Sequence, residues 1–287
     1  MVRVLIVISL VGAVSCVGEQ SVKEDGRCAR IVSLAPSITE VLFELNLGSR
    51  IVGVTRYCTW PPETAAIAKV GGWYDPSAEA IVALKPDTLF YLPEQEAVAA
   101  RVREAGVTTV ALPARHLDDV TAAARLIGSH CHAEVAAAKF TERFTRDISS
   151  VTMRADTGAR PRVLLVVGRT PDSGPVGALF VAGKGSFHDE IVTAAGGTNA
   201  CSLTLPYPRV SVEGVIAMQP DIIIELTTRD ASPFSREDWE RFASLPAVRK
   251  GRIYRLTDDR FFIPGPRAPL LVAELARLIN RSEGQTP

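Results

Sequence analysis

The sequence has no excess charge of either sign. Its 287 residues include 32 Lys and Arg against 32 Asp and Glu. Proteins that bind nucleic acids generally carry a basic patch and a high isoelectric point, and disordered chains combine low hydrophobicity with high net charge. With zero net charge and 47% apolar residues, the composition argues against both classes. The length predicts a globular protein of about two domains.

The sequence also lacks an apolar run long enough to span a bilayer, which takes about 20 residues. The longest run, residues 4–14, has eleven residues interrupted only by Ser9 and follows a basic start. This pattern is typical of a secretory signal peptide. It predicts a signal peptide over residues 1–15 and an exported protein that is periplasmic or otherwise extracytoplasmic.

The residues at the end of the apolar run indicate whether the exported chain is anchored to the membrane by a lipid or released as a soluble protein. The sequence AVSC at residues 13–16 resembles a bacterial lipobox, which would make Cys16 the lipidated first residue. Residues 16–28, which are mostly polar, would then form a tether between the lipid and the folded protein. The chain would contact the membrane only through this lipid. Ordinary cleavage after Ser15, giving a soluble periplasmic protein, and a buried first strand are the alternatives.

Cysteine is scarce, and no pair has the CxxC spacing of a redox or zinc site. Setting Cys16 aside, the chain has Cys28, Cys58, Cys131 and Cys201. Four cysteines allow three disulfide pairings, and export makes disulfides possible. Buried free thiols are the equal alternative, and the sequence does not choose among these arrangements.

Catalytic motifs are missing as well. There is no GxSxG nucleophile elbow and no Rossmann glycine fingerprint, and the glycines of residues 177–185 are spaced one residue too long for a phosphate loop. The segment His130-Cys131-His132, at a predicted helix start, lacks accompanying carboxylates and is a weak candidate for a metal site. An exported hydrolase using His188 or His116 remains the enzymatic alternative.

The pattern that is present alternates strands with helices. Apolar runs predict strands at 31–34, 51–54, 88–92 and 109–112, with helical stretches at about 76–84, 94–105 and 117–128. Ser37 and Glu40 have the spacing of a capping box at the start of the first helix. This alternation favours parallel βαβ units.

One segment differs, because residues 133–154 contain neither Gly nor Pro and repeat apolar residues at helical spacing. They predict a single helix of roughly 30 Å between an N-terminal lobe (29–132) and a C-terminal lobe (155–287). Residues 78–87 and 212–221 share a pattern in which a helix with a Glu ends at Pro-Asp before a strand. We interpret this repeat as a pseudo-duplication of the lobes.

The motifs together resemble a known family, the helical-backbone substrate-binding proteins of ABC importers, which take up cobalamin, ferric siderophores and haem. The resemblance covers about residues 29–281. It rests on RIVSLAPSITE at 30–40, GVTRYCTWPP at 53–62, VGGW at 70–73, IVALKPD at 81–87, GKGSF at 183–187, AGGTN at 195–199 and PYPRVS at 206–211.

Within this family the chain is most similar to the cobalamin-binding branch. The resemblance implies an α/β fold of two Rossmann-like lobes with parallel sheets joined by one long helix, with no catalytic or metal site. Flat aromatic faces between the lobes would suit a corrin, a broad disc edged with amides. The implied ligand-binding residues are Pro36, Arg56, Tyr57, Trp73, Tyr207, Arg209, Asp259 and Arg260. Trp60 is expected beneath the cleft.

The identity of the ligand stays open between a corrinoid and, as the alternative, a ferric siderophore or haem. Arg56, Arg209, Arg260 and Arg267 converging on a cleft would suit an anionic siderophore. Whether Cys58 or His188 touches the ligand is also open.

The resemblance implies partners. In this family one surface Glu of each lobe meets arginine pockets of the permease dimer, whose ATPase subunits hydrolyse ATP, and Glu79 and Glu213 occupy those positions. Favourable placement near a helix N-terminus is their alternative role. We expect a monomer that uses no cofactor of its own and binds no nucleic acid.

Overall fold

The computed structural model describes residues 27–155, 160–170, 177–229 and 237–281, with side chains up to residue 153 in the first range. The predicted signal peptide, Cys16 and most of the tether lie outside these residues. Among the described residues, no helix has both the length and the apolar composition needed to cross a bilayer.

The N-terminal lobe is built on a five-stranded parallel sheet of order β3-β2-β1-β4-β5. β1 and β4 are completely buried because apolar residues occupy both of their faces, as is usual for central parallel strands. The strands are β1 (Ile31–Ser33), β2 (Ile51–Val54), β3 (Ala68–Lys69), β4 (Thr88–Tyr91) and β5 (Thr108–Ala111), and the helices are α1 (Pro36–Glu44), α2 (Ala78–Ala83), α3 (Glu96–Glu104) and α4 (Leu117–Cys131).

The C-terminal lobe has a six-stranded sheet in which β6 occupies the centre. β10 lies on one side of β6, and the other side is shared by β8 near its start and β7 near its end. β7 runs antiparallel to both of its neighbours, β6 and β9, which the alternating pattern did not predict. The strands are β6 (Arg162–Arg169), β7 (Leu179–Val181), β8 (Thr198–Asn199), β9 (Arg209–Val210), β10 (Ile222–Thr227) and β11 (Ile253–Thr257).

Six α-helices follow α4 in the part of the chain that the structure describes. The 22-residue α5 joins the lobes at about the predicted bounds, and at 1.5 Å per residue it is about 33 Å long. Its Phe140 and Phe144 are buried, and it packs against α4 of one lobe and against α6 and α10 of the other. A continuous core therefore runs through both lobes. These helices are α5 (Glu134–Ala155), α6 (Phe187–Ala194), α7 (Val212–Met218), α8 (Glu237–Glu240), α9 (Pro246–Arg249) and α10 (Ala268–Ile279).

The predicted capping box of α1 is wrong. Ala35 is the N-cap, its side chain makes no capping bond, and Ser37 lies within the helix. Glu40 is instead buried and accepts two hydrogen bonds from Arg267, which directly precedes α10 of the other lobe. Burial raises the pKa of Glu40, and the Arg267 hydrogen bonds oppose this shift. The carboxylate thus ties the lobes together.

The cysteines adopt one of the arrangements that the sequence left open. Cys28 and Cys131 form a disulfide between the segment before β1 and the end of α4, and Cys58 and Cys201 are buried free thiols. The segment His130-Cys131-His132 was predicted to lie at the start of a helix. In the structure, His130 and Cys131 are instead the last two residues of α4. Because Cys131 is bonded to Cys28, it has no thiolate to offer to a metal ion. The described residues contain no cluster of three potential metal ligands.

Candidate functional site

A cleft of about 800 Å³ lies between the two lobes. Each lobe contributes nine residues to its lining. Its walls are formed by Trp73, Leu92, Pro93, Glu94, Pro113, Ala114, Arg115, His116 and Asp119 of the N-terminal lobe and by Val167, Gly185, Ser186, Phe187, His188, Pro206, Tyr207, Phe262 and Pro264 of the C-terminal lobe.

The strand order explains the position of the cleft. Residues 92–94 follow the end of β4, and residues 113–116 follow the end of β5. Val167 lies in the last half of β6 on the opposite wall. Ligands of open α/β sheets bind outside the carboxyl ends of the strands, and these ends face one another across the cleft. The topology therefore creates a binding site between the lobes.

Trp73 forms part of the N-terminal wall and packs partly buried against the core. Its backbone carbonyl accepts a hydrogen bond of 3.3 Å from Nε2 of buried Gln95, which also donates to the carbonyl of Leu34. The loop of Trp73 is thereby attached to the end of β1. The Trp73 side chain is thereby held at a defined place in the cleft wall.

Tyr207 faces the cleft from the other lobe and is oriented by His188. The His188 Nε2 lies 2.9 Å from the carbonyl oxygen of Phe261, and its Nδ1 lies 3.0 Å from the Tyr207 hydroxyl. A carbonyl only accepts, so Nε2 carries the proton and Nδ1 of the neutral ring accepts from the hydroxyl. Tyr207 consequently presents only acceptor lone pairs to a ligand.

Burial maintains this protonation state. It lowers the pKa of His188 from 6.5 to about 4, so the imidazole is neutral at physiological pH. Burial, assisted by the negative charge of Glu190, raises the pKa of the Tyr207 phenol to about 12. The pair therefore adds two flat rings and an acceptor to the cleft without adding charge.

The charged groups of the described lining have hydrogen-bond partners within the protein. Arg115 donates to Glu94 over 3.2 Å, and Asp119 accepts the backbone N–H groups of Arg115 and His116. His116 Nδ1 lies 2.8 Å from Glu190 of the other lobe. With two carboxylates against one guanidinium, the lining is formally anionic when its histidines are neutral.

Of the eight predicted ligand-binding residues, the structure brings Trp73 and Tyr207 together at the cleft. The other six do not line it: Pro36, Arg56, Tyr57, Arg209, Asp259 and Arg260.

Carboxylates elsewhere explain the position of several arginines. Arg56 pairs with Asp75 at 2.7 Å, and Arg260 pairs with Asp258 at 2.9 Å. Arg267 pairs with Glu40 and lies over the ring of Trp60, which is likewise off the lining. Arg209 is exposed on β9. None of these four arginines therefore belongs to the described cleft lining.

Cys58 is not part of the described cleft lining either. It is fully buried, with its Sγ 3.2 Å from the hydroxyls of Thr39 and Thr55. Burial raises the pKa of this thiol, which disfavours a thiolate. Cys58 and His188 were the two residues for which contact with the ligand was left open. His188 lines the cleft and Cys58 does not.

Several lining residues were missed at the sequence level: Glu94, Arg115, Asp119, Phe187 and Phe262. The signal for Glu94 and Arg115 was available, since both follow strands that the apolar pattern predicted. The carboxyl-end rule applied to those strands would have indicated both residues.

The two matched glutamates occupy equivalent local positions. Glu79 and Glu213 each lie in the first turn of a short helix whose N-cap is a serine, Ser77 or Ser211. Hydrogen bonds from backbone N–H groups and from these serines lower the pKa of both carboxyls. Glu79 also pairs with Arg101. The internal repeat is thus visible as two similarly capped, exposed carboxylates.

Comparison with known proteins identifies the family. A family model described as "Periplasmic binding protein" matches residues 31–260, most of the chain. The chain belongs to the periplasmic binding protein family. It is therefore an ABC transporter substrate-binding protein of the vitamin B12, haem and siderophore family and not an enzyme, and the hydrolase alternative is discarded.

Individual relatives of this periplasmic binding protein differ in their named ligands. It is 27% identical to an uncharacterized ABC transporter substrate-binding lipoprotein of Bacillus subtilis strain 168, covering 87% of this chain and 79% of that one. It is 26% identical to the vitamin B12-binding protein of Pectobacterium atrosepticum, covering 86% of each. A periplasmic heme-binding protein of Roseiflexus sp. RS-1 superposes with a TM-score of 0.75 at 28% identity, covering 87% and 97%.

Proposed function

We propose that this protein captures cobalamin or a related corrinoid in the cleft between its lobes. The observation that carries this proposal is the combination of two aromatic side chains on different lobes, Trp73 and Tyr207, with a described lining whose one arginine, Arg115, is paired with Glu94. Aromatic faces offer large contact areas at little cost in conformational entropy. A corrin ring would use that area.

The polar groups favour the same ligand class. Glu94, Asp119 and the Tyr207 hydroxyl are acceptors at the cleft, and the primary amides that edge a corrin are donors. An anionic siderophore would need cations, yet Arg115, the one guanidinium in the described lining, already pairs with Glu94. Haem, with its carboxylates, would meet the same unfavourable charge.

We also propose how the loaded protein meets its transporter. Glu79 and Glu213 would each contact one subunit of the permease and so align the two lobes with the two subunits. Charges at two separate points improve the orientation and the association rate of a complex more than its affinity. A signal peptide over residues 1–15 and lipidation at Cys16 would keep this monomer at the outer face of the membrane.

The ligand is tested by equilibrium dialysis of the mature chain against equal concentrations of cyanocobalamin, haemin and a ferric catecholate siderophore. We expect one cyanocobalamin retained per protein and little of the other two. Retention of the siderophore or haemin in preference to cyanocobalamin would replace the corrinoid proposal with that ligand. Mass spectrometry of the membrane-extracted protein tests for a diacylated Cys16 at the N-terminus.

A further inference from the structure

One carboxylate bridges the two lobes at the edge of the cleft. Glu190 belongs to α6 of the C-terminal lobe. Its Oε1 lies 2.8 Å from Nδ1 of His116, and its Oε2 accepts the backbone N–H of Leu117 over 2.6 Å. Both partners belong to the N-terminal lobe, and His116 lines the cleft. We call this arrangement the Glu190 bridge.

The chemistry of the Glu190 bridge is favourable on both oxygens. Leu117 is the first residue of α4, so its N–H has no partner within the helix and lies at the positive end of the helix dipole. A carboxylate only accepts, so Nδ1 of His116 carries a proton toward Glu190. Hydrogen bonds to an ionised group are shorter and stronger than neutral ones. Widening the cleft here would replace both bonds with bonds to water.

The second inter-lobe tie differs from the Glu190 bridge. Glu40 and Arg267 pair in a more buried position, and neither residue lines the cleft. Glu190, by contrast, is close enough to Tyr207 for its charge to affect that phenol. The Glu190 bridge is thus the tie best placed to affect a bound ligand.

We propose that Glu190 is a positioning residue that sets the spacing of the two lobes at the cleft, and thereby how tightly a flat ligand is held between Trp73 and Tyr207. The effect on the lobes follows from the Glu190 bridge alone. The effect on ligand rests on the proposed function.

Three variants separate the contributions. Glu190→Ala removes both bonds, whereas Glu190→Gln keeps an oxygen that can accept the Leu117 N–H but removes the charge. Glu274→Ala is a matched control, because Glu274 is also helical, pairs with Arg277 at 2.6 Å, and its side chain is 32% exposed against 34% for Glu190. Glu274 and Arg277 both lie within α10.

Lobe spacing is measured without any ligand, by double electron–electron resonance between spin labels at Glu104→Cys and Arg249→Cys. Both positions are exposed, one in each lobe, and native Cys58 and Cys201 are buried free thiols. We expect a broader distance distribution in Glu190→Ala, a partial change in Glu190→Gln and none in Glu274→Ala. A distribution in Glu190→Ala that matches the wild type would overturn the proposal.

Ligand kinetics provide a readout that a general folding defect would not reproduce. By stopped flow, we expect cyanocobalamin to dissociate about 10-fold faster from Glu190→Ala, with association changed less than about 2-fold, because affinity differences at one interface arise mainly in dissociation. Glu190→Gln should recover part of the loss. Misfolding would lower the active fraction instead, and an unchanged dissociation rate in Glu190→Ala would contradict the proposal. Failure of the wild type to bind cyanocobalamin would refute only the proposed function, and the distance measurement would still decide the role of Glu190.

Discussion

His188 and Tyr207 form a hydrogen-bonded pair at the cleft whose direction is determined by a third group. The carbonyl oxygen of Phe261 accepts a hydrogen bond from Nε2–H of His188, so Nδ1 accepts a hydrogen bond of 3.0 Å from the Tyr207 hydroxyl. A buried neutral histidine thus holds a tyrosine ring with its acceptor lone pairs available to a ligand.

Removing only the hydroxyl should separate the polar and aromatic contributions of Tyr207. Tyr207→Phe keeps the flat ring but loses one hydrogen bond, which should weaken cyanocobalamin binding by about 3- to 10-fold. Tyr207→Ala also loses the face and should weaken binding by about 30-fold or more. Isothermal titration calorimetry measures both. Equal losses in the two variants would mean that the ring face contributes nothing.

Burial of His188 makes stability depend on pH with a defined sign. The pKa is about 4 in the folded protein against an ordinary value of 6.5, so between these values the unfolded chain binds more protons. The free energy of unfolding should therefore fall as pH falls from 6.5 to 4, by about 3 kcal/mol in total, with no effect from this group above 6.5. Urea unfolding at pH 7, 5.5 and 4 measures the slope.

The matched variant is His188→Gln, which keeps an amide donor for the Phe261 carbonyl but does not titrate. Its overall stability is expected to be lower at pH 7, and its pH slope over the same window should be shallower. If the wild type and His188→Gln lose stability in parallel as the pH falls, His188 is not the titrating group.

The Cys28–Cys131 disulfide should be a major source of stability. The bonded residues are 103 positions apart, and closing a loop of about 100 residues lowers the entropy of the unfolded chain by the equivalent of roughly 4–5 kcal/mol. Cys28→Ala should destabilise by an amount of that order, although strain and residual structure reduce measured values. Guanidinium unfolding of oxidised protein tests this.

Cys201→Ala is the control for that experiment, because Cys201 is buried but unbonded. It should respond to reductant as the wild type does, whereas Cys28→Ala should be insensitive to reductant. A wild type whose unfolding midpoint is unchanged by reduction would contradict the pairing.

The sequence carried enough information for the framework of this fold. Apolar runs bounded by Gly, Pro or polar residues identified β1, β2, β4 and β5, and the absence of helix breakers identified α5. These features depend on local composition and periodicity. The antiparallel β7 was not predicted, because its direction depends on pairing with β6 and β9 rather than on its own residues.

The site was only partly accessible from sequence for the same reason. Trp73 and Tyr207 followed from the resemblance, whereas the arginines expected beside them are drawn to partners that no local pattern reveals. Glu40 and Arg267 are 227 residues apart in the chain. The disulfide pairing likewise could not be predicted from the sequence, because only the fold shows which of the four cysteines lie close together. Contacts between segments that are far apart in the chain could not be predicted, because no local sequence pattern indicates them.

Docking through Glu79 and Glu213 separates binding from transport. Replacing both by Ala should leave the cyanocobalamin affinity of the purified protein within about 2-fold, because neither residue lines the cleft. Uptake of labelled cobalamin by cells carrying the importer should fall by about 10-fold or more. Glu104→Ala, an exposed glutamate at the end of α3, is the control. Weakened ligand binding in the double variant would contradict a docking role.

The central claim is that a corrinoid lies between Trp73 and Tyr207. The most direct test is calorimetric titration of cyanocobalamin into the wild type and Trp73→Ala, with far-ultraviolet circular dichroism establishing that both are folded. We expect one site per wild-type protein and an affinity for cyanocobalamin at least about 10-fold weaker in Trp73→Ala. Equal affinities in the two proteins, or no binding to the wild type, would contradict it.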